Sequence, residues 1–155
     1  MTMRNRLGIS AGIILGLIFL AAGLGKSLSQ TETFVIFVFP EFLPTALDKI
    51  IFRWLPRLEI AIGTLLIFNV AAKLVTSLAL ALTVSLIANN SILLIQGLGD
   101  KPCGCFGAAE PMAQYQLSIA GALYVDIMML ALGLVVLFCY QSDFLNIKPW
   151  FLRRS

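Results

Sequence analysis

The sequence predicts an all-α integral membrane protein, a bundle of four transmembrane helices with N-in/C-in topology and an aromatic, interfacial first outer loop. Three observations predict it. The first is composition: of 155 residues, 59% are hydrophobic and only 12% charged, against roughly 25% charged in an ordinary soluble domain. A globule of this size also leaves about a third of its unfolded surface wet, so it has no interior large enough for so much apolar surface. The second is patterning, with four apolar runs of membrane-crossing length; the third is where the basic residues fall. Histidine is absent, which excludes imidazole acid–base catalysis and His-containing zinc sites. The net charge of +3 is too sparse and scattered for a nucleic-acid face. A single membrane domain over residues 1–155 is expected.

The runs are residues 7–25, 56–72, 74–96 and 117–140, each near the ~20 residues that cross the hydrocarbon layer as helix. The first also has features of a cleavable secretory signal, with Arg4 and Arg6 before the apolar stretch and Ala21, Ala22 and Gly23 after it. It is longer than a signal core and ends in Lys26. It also repeats Gly8, Gly12 and Gly16 at the spacing that lets another helix approach closely, so a retained helix is favoured. Almost nothing separates the second and third runs around Lys73, which implies a tight antiparallel hairpin.

Orientation follows the basic residues. With both ends in the cytoplasm, the short inner segments hold Arg4, Arg6, Lys73, Lys148, Arg153 and Arg154 against Asp143 alone. The outer segments hold Lys26, Lys49, Arg53, Arg57 and Lys101 against Glu32, Glu41, Asp48, Glu59, Asp100 and Glu110. In the first outer loop, Phe34, Phe37, Phe39, Phe42, Phe52 and Trp54 crowd together while Pro40 and Pro44 break any long helix. Thr45 is placed to cap a short helix carrying Ile50, Ile51 and Trp54 on one side. Such a segment lies along the membrane surface with its rings among the headgroups, or packs as a greasy loop over the end of the bundle.

The second outer loop carries the sharpest chemical signal, Lys101-Pro102-Cys103-Gly104-Cys105-Phe106-Gly107. Pro102 and the two glycines keep it out of helix. Cysteines two apart in a bent chain reach the ~4.4–6.8 Å Cα separation that a disulfide needs. So small a ring locks up little chain entropy and is prone to exchange. Lys101 favours a thiolate, the form that attacks disulfides, and its proximity favours Cys103 as the attacker. Three readings compete: a dithiol–disulfide shuttle, a two-thiolate clasp for Cu(I) or another soft cation, and a disulfide that only stiffens the loop. The metal reading lacks histidine and has only Met112 close by, so no metal set is expected. Cys139 falls near the inner end of the fourth span, roughly 30 Å from the pair, and reads as a buried small apolar residue.

Polar groups inside the spans are expensive in lipid and are candidates for function. Lys26 ends the first run, Glu59 starts the second, Asn89 and Asn90 lie two turns before the end of the third, and Asp126 lies early in the fourth. All belong to the half nearest the cysteine loop. They form either a polar pocket beneath the cysteines, holding a proton path or a head group, or an ion pair and amide contacts that fix helix register.

With these residues in place, the chain resembles the methylamine-utilisation MauE family, within the DoxX-like four-helix membrane proteins, from about Leu7 to Leu137. Ala22-Gly23-Leu24-Gly25-Lys26 is similar to that family's Gly-x-x-Lys ending. Leu55-Pro56-Arg57-Leu58-Glu59, with Gly63 following, is similar to its Pro-x-x-Glu entry. Cys103-Gly104-Cys105-Phe106-Gly107 is similar to its Cys-x-Cys-Phe-Gly loop. Val125-Asp126 departs from the family pattern, which has a basic residue before the polar one. The resemblance implies a multi-pass protein of the bacterial inner membrane with its cysteine loop in the periplasm. It would mature a disulfide-containing client, such as the small subunit of methylamine dehydrogenase, beside a thioredoxin-like partner. By likeness of architecture to quinone-linked disulfide-forming proteins, a quinone is the candidate electron acceptor. The expected site is Cys103 and Cys105, supported by Lys101, Gly104, Phe106, Gly107, Lys26, Glu59 and Asp126. The alternatives are a non-catalytic membrane scaffold for a thioredoxin-like partner and soft-metal (copper) handling.

Overall fold

Helices α1 (Met3–Leu28), α2 (Thr45–Phe68), α3 (Ala72–Ile95) and α4 (Ile119–Cys139) make up nearly all of what the computed structural model describes, residues 3–28, 45–103 and 117–139. Their directions alternate. On α1 and α2, Gly16 faces Gly63 and Gly23 faces Pro56. On α3 and α4, Leu80 packs on Gly133 and Asn90 bonds to Asp126. The Arg4 guanidinium donates to the carbonyl of Phe138 at 3.2 Å, which ties the start of α1 to the end of α4. The main packing pairs are α1 with α2, α3 with α4 and α1 with α4.

The core runs between these pairs. Leu15 and Phe19 of α1, Ile62 and Leu66 of α2, Val75 and Ala79 of α3 and Met129 of α4 form one buried cluster. Large apolar side chains also cover the outside, among them Leu17, Leu78, Tyr124, Met128 and Phe138. Water would penalise such a surface and hydrocarbon would not. Several hydroxyls within the helices are absorbed locally: Thr64, Ser77 and Thr83 each donate to the carbonyl four residues back, which hides their polarity. Three stretches, Arg6–Leu28, Ala72–Ile95 and Ile119–Cys139, are long and apolar enough to cross a membrane. Helix α2 is not among them, because Arg53, Arg57 and Glu59 fall inside its apolar part.

The helix boundaries correct several sequence expectations. The second helix starts at Thr45, not Pro56, so the short helix expected after Thr45 is the beginning of α2 itself. Pro56 lies inside it; proline removes one backbone bond and bends a helix without always ending it. The helix also stops at Phe68, four residues early. Asn69 (φ 52°) and Ala71 (φ 46°) turn left-handed there, and asparagine tolerates that conformation better than most residues. The connection is as short as expected around Lys73, yet α2 and α3 touch little along their lengths. Trp54 is exposed, with the Arg57 guanidinium 5.6 Å from its ring centre. Phe34, Phe37, Phe39 and Phe42 lie outside the described residues.

Both ends of the α3–α4 connection are built by recognisable chemistry. Gly97 (φ 78°) follows α3. The Leu98 amide donates to Leu93 O and the Gly97 amide to Leu94 O, the paired bonds that close a helix C-terminus around a left-handed residue. Leu98 then packs against the buried cluster that contains Leu93, Cys103, Ile119 and Ala122, in keeping with the apolar contact that accompanies this motif. At α4, the Ser118 hydroxyl accepts from the Gly121 amide at 3.2 Å and caps the helix. The Ile119 and Ala120 amides donate to Lys101 O and Gly99 O, so the loop backbone satisfies donors that a helix start leaves unpaired.

Candidate functional site

That backbone stitching fixes Cys103. Its amide donates to Leu117 O at 2.9 Å, beside an isolated antiparallel bridge between Pro102 and Ser118. The side chain turns inward, is 6% exposed, and packs among Leu93, Ile119 and Ala122. Lys101 and Pro102 are exposed beside it. Cys103 is disulfide-bonded, whereas Cys139 is free and half-buried rather than buried as its reading supposed. Gly104, Cys105, Phe106 and Gly107 lie outside the described residues, as does Met112.

Below the sulfur is a buried polar chain. Asn90, 2% exposed, places Oδ1 3.9 Å from Cys103 Sγ, and its Nδ2 donates to Asp126 Oδ2 at 2.7 Å. The sequence places Asn90 in the polar group beneath the cysteines but does not show its contact with the sulfur. The signal was present: counting back 13 residues from Cys103 leads through the turn at Gly97 to the face of α3 that looks at α4. What could not be read was how sharply the chain turns.

A second polar pair sits beside the first. Lys26 Nζ donates to Glu59 Oε1 at 2.6 Å, with the side chains 6% and 1% exposed. Lys26 therefore pairs with Glu59. Lys26, Glu59 and Asp126 line a common cavity of about 20 Å³, walled elsewhere by apolar groups including Phe19, Leu86 and Met129. Glu59 Oε2 has no hydrogen-bond partner among the described residues.

The cavity's size tests the quinone expectation. About 20 Å³ admits a single water, which needs roughly 10–15 Å³ by this kind of measure. A six-membered ring with two carbonyl oxygens is several times larger, so a quinone does not fit between these residues. Among the described residues, no three of Cys, Asp and Glu come together as a metal set.

Apolar helices with lipid-compatible outer faces, and an oxidised cysteine at the head of a buried polar chain, define an all-helical membrane protein with a cysteine-bearing end. The chain belongs to the family of the methylamine utilisation protein MauE, whose family model matches residues 4–139, all four helices and the cysteine loop included. No curated protein and no solved structure matches the chain.

Proposed function

We propose that this protein performs or relays thiol–disulfide exchange through Cys103 and Cys105 at one end of the bundle. The two cysteines form the exchanging pair. Reduced, the pair gives two electrons to the disulfide of a thioredoxin-like protein: one thiolate attacks, a mixed disulfide forms, and the other cysteine displaces the partner's sulfur. Two protons leave the pair's thiols and two reach the partner's, so the step balances in either direction. The observation that carries this reading is a disulfide-bonded Cys103 buried over Asn90 and Asp126. The Asn90–Asp126 bond ties α3 to α4, and its continuation to the sulfur is the part that a loop-stiffening disulfide alone does not call for.

The membrane setting supports the reading. We take all four helices as spans, with α2 crossing by its second half and both termini in the cytoplasm, so that the cysteine loop faces the periplasm of a bacterial inner membrane. That compartment favours disulfides. The client is a disulfide-containing periplasmic protein, and membership of a methylamine utilisation family makes a methylamine dehydrogenase subunit the first one to test. Lys26 and Glu59 hold α1 to α2 under the site, and Lys101 keeps its solvent side positive.

The test replaces Cys103 and Cys105 by Ser, singly and together, in cells that depend on methylamine dehydrogenase. Each variant should accumulate normally yet leave the client without correct disulfides. Normal client maturation in the double variant would refute exchange and favour a scaffold.

A further inference from the structure

Resting on the exchange reading above, we infer that Cys103 is the resolving sulfur of the pair, and that Asn90, oriented by Asp126, is the positioning residue that keeps it a thiol. Lys101 pointed the other way, to Cys103 as attacker. The buried geometry overrides that expectation.

The direction of the Asn90 amide decides the matter. A carboxylate offers only acceptors, so Asp126 selects the NH₂ end of Asn90, and the 2.7 Å contact fixes it there. The carbonyl end is left facing Cys103 Sγ at 3.9 Å. In the oxidised protein this is a packing contact. After reduction, the same oxygen accepts the S–H proton, whereas a thiolate would meet a carbonyl oxygen head-on. Leu93, Ile119 and Ala122 around the sulfur also disfavour a charge there. Asp126 is faced by Lys26 from α1, Glu59 from α2 and Asn90 from α3. Of the nearby cations, Lys26 is committed to Glu59 and Lys101 is out in water.

The order of events follows. A thiolate of the partner forms its bond to Cys105 sulfur, and the bond between Cys105 and Cys103 breaks. The electron pair goes to Cys103, which takes one proton from water and becomes a thiol hydrogen-bonded to Asn90. The proton lost when the partner's thiol ionised balances the one gained. In the opposite direction Cys105 attacks the partner first, and Cys103 is deprotonated only to close the disulfide. Keeping the buried sulfur protonated until then protects it from stray reaction.

Site-resolved alkylation of the purified, detergent-solubilised full chain tests this. The protein is reduced with a phosphine, and iodoacetamide labelling of Cys103 and Cys105 is followed by mass spectrometry from neutral to alkaline pH. This needs no partner or client, so it can fail while the exchange reading stands, and the reverse. In the wild type, Cys105 should label about tenfold faster than Cys103 at neutral pH. Asp126→Asn frees the amide to turn its N–H toward the sulfur, so Cys103 should label several-fold faster with its pH profile moved down. The double change Asn90→Asp with Asp126→Asn sets a carboxylate against the sulfur and should move that profile up. A merely structural loosening would speed Cys103 in both variants without opposite displacements of the profile. Equal or faster labelling of Cys103 in the wild type, which requires no variant to fold, overturns the assignment. So does a Cys103 profile that Asp126→Asn leaves in place or moves up.

Discussion

The seam between α1 and α2 and the seam between α3 and α4 solve one problem, holding two helices together where lipid gives no hydrophobic reward, by different means. The first is closed by backbone. A Cβ built on Gly63 would lie 2.7 Å from Gly16 O, and one on Gly16 equally close to Gly63 O; its ion pair, Lys26 with Glu59, stays within the seam. The second is closed by the Asn90–Asp126 hydrogen bond, and that bond continues outward to a sulfur. Both seams contain a buried carboxylate, so burial of charge does not separate structure from chemistry here. What the carboxylate's partner touches next does.

The contrast breaks most visibly at the glycines. Gly63→Leu forces a side chain into backbone atoms that cannot retreat, and overpacking of this kind costs ~1–3 kcal/mol or more. Folded protein recovered from membranes should fall sharply, while Gly121→Ala on α4, which meets only side-chain atoms, should be mild. Recovery of Gly63→Leu at wild-type levels would show that the first seam is looser than described.

The ion pair offers a second break. Glu59→Leu strands Lys26 in an apolar site, and breaking a buried pair from one side costs about 3–5 kcal/mol in soluble proteins, less where lipid helices find other partners. Thermal unfolding in detergent should drop by several degrees, and adding Lys26→Met should restore most of it. Client maturation in the restored double variant should remain, if this pair is structural; its loss would move Lys26 and Glu59 into the site.

The smallest effect lies at the hinge between helix and sulfur. Gly97 takes φ 78° with open space where a Cβ would go, so Gly97→Ala costs only the left-handed backbone, about 1 kcal/mol. It should lower stability slightly and leave client maturation intact.

Much of this was legible in the sequence. Apolar length marked α1, α3 and α4, and a Gly-x-x-x-Gly spacing announced that another helix comes close to α1, without naming it; Gly16 meets Gly63 of α2, while Gly12 meets Asn69 and Val136. Lys26, Glu59 and Asp126 were singled out by the cost of charge in lipid. The start of α2 was hidden because proline is read as a boundary and its helix runs through it. The Asn90–Cys103 contact was hidden because it depends on a three-dimensional turn; Gly97 and Ser118 mark where the turn begins and ends, but not which α3 side chain ends up under the sulfur.

The most direct measurement is the redox state of Cys103 and Cys105 in intact cells, trapped by acid quench and mass-tagged alkylation, with and without the thioredoxin-like partner. Exchange predicts a mixture of dithiol and disulfide whose ratio shifts when the partner is removed. A pair that stays wholly in one state under every condition would contradict it.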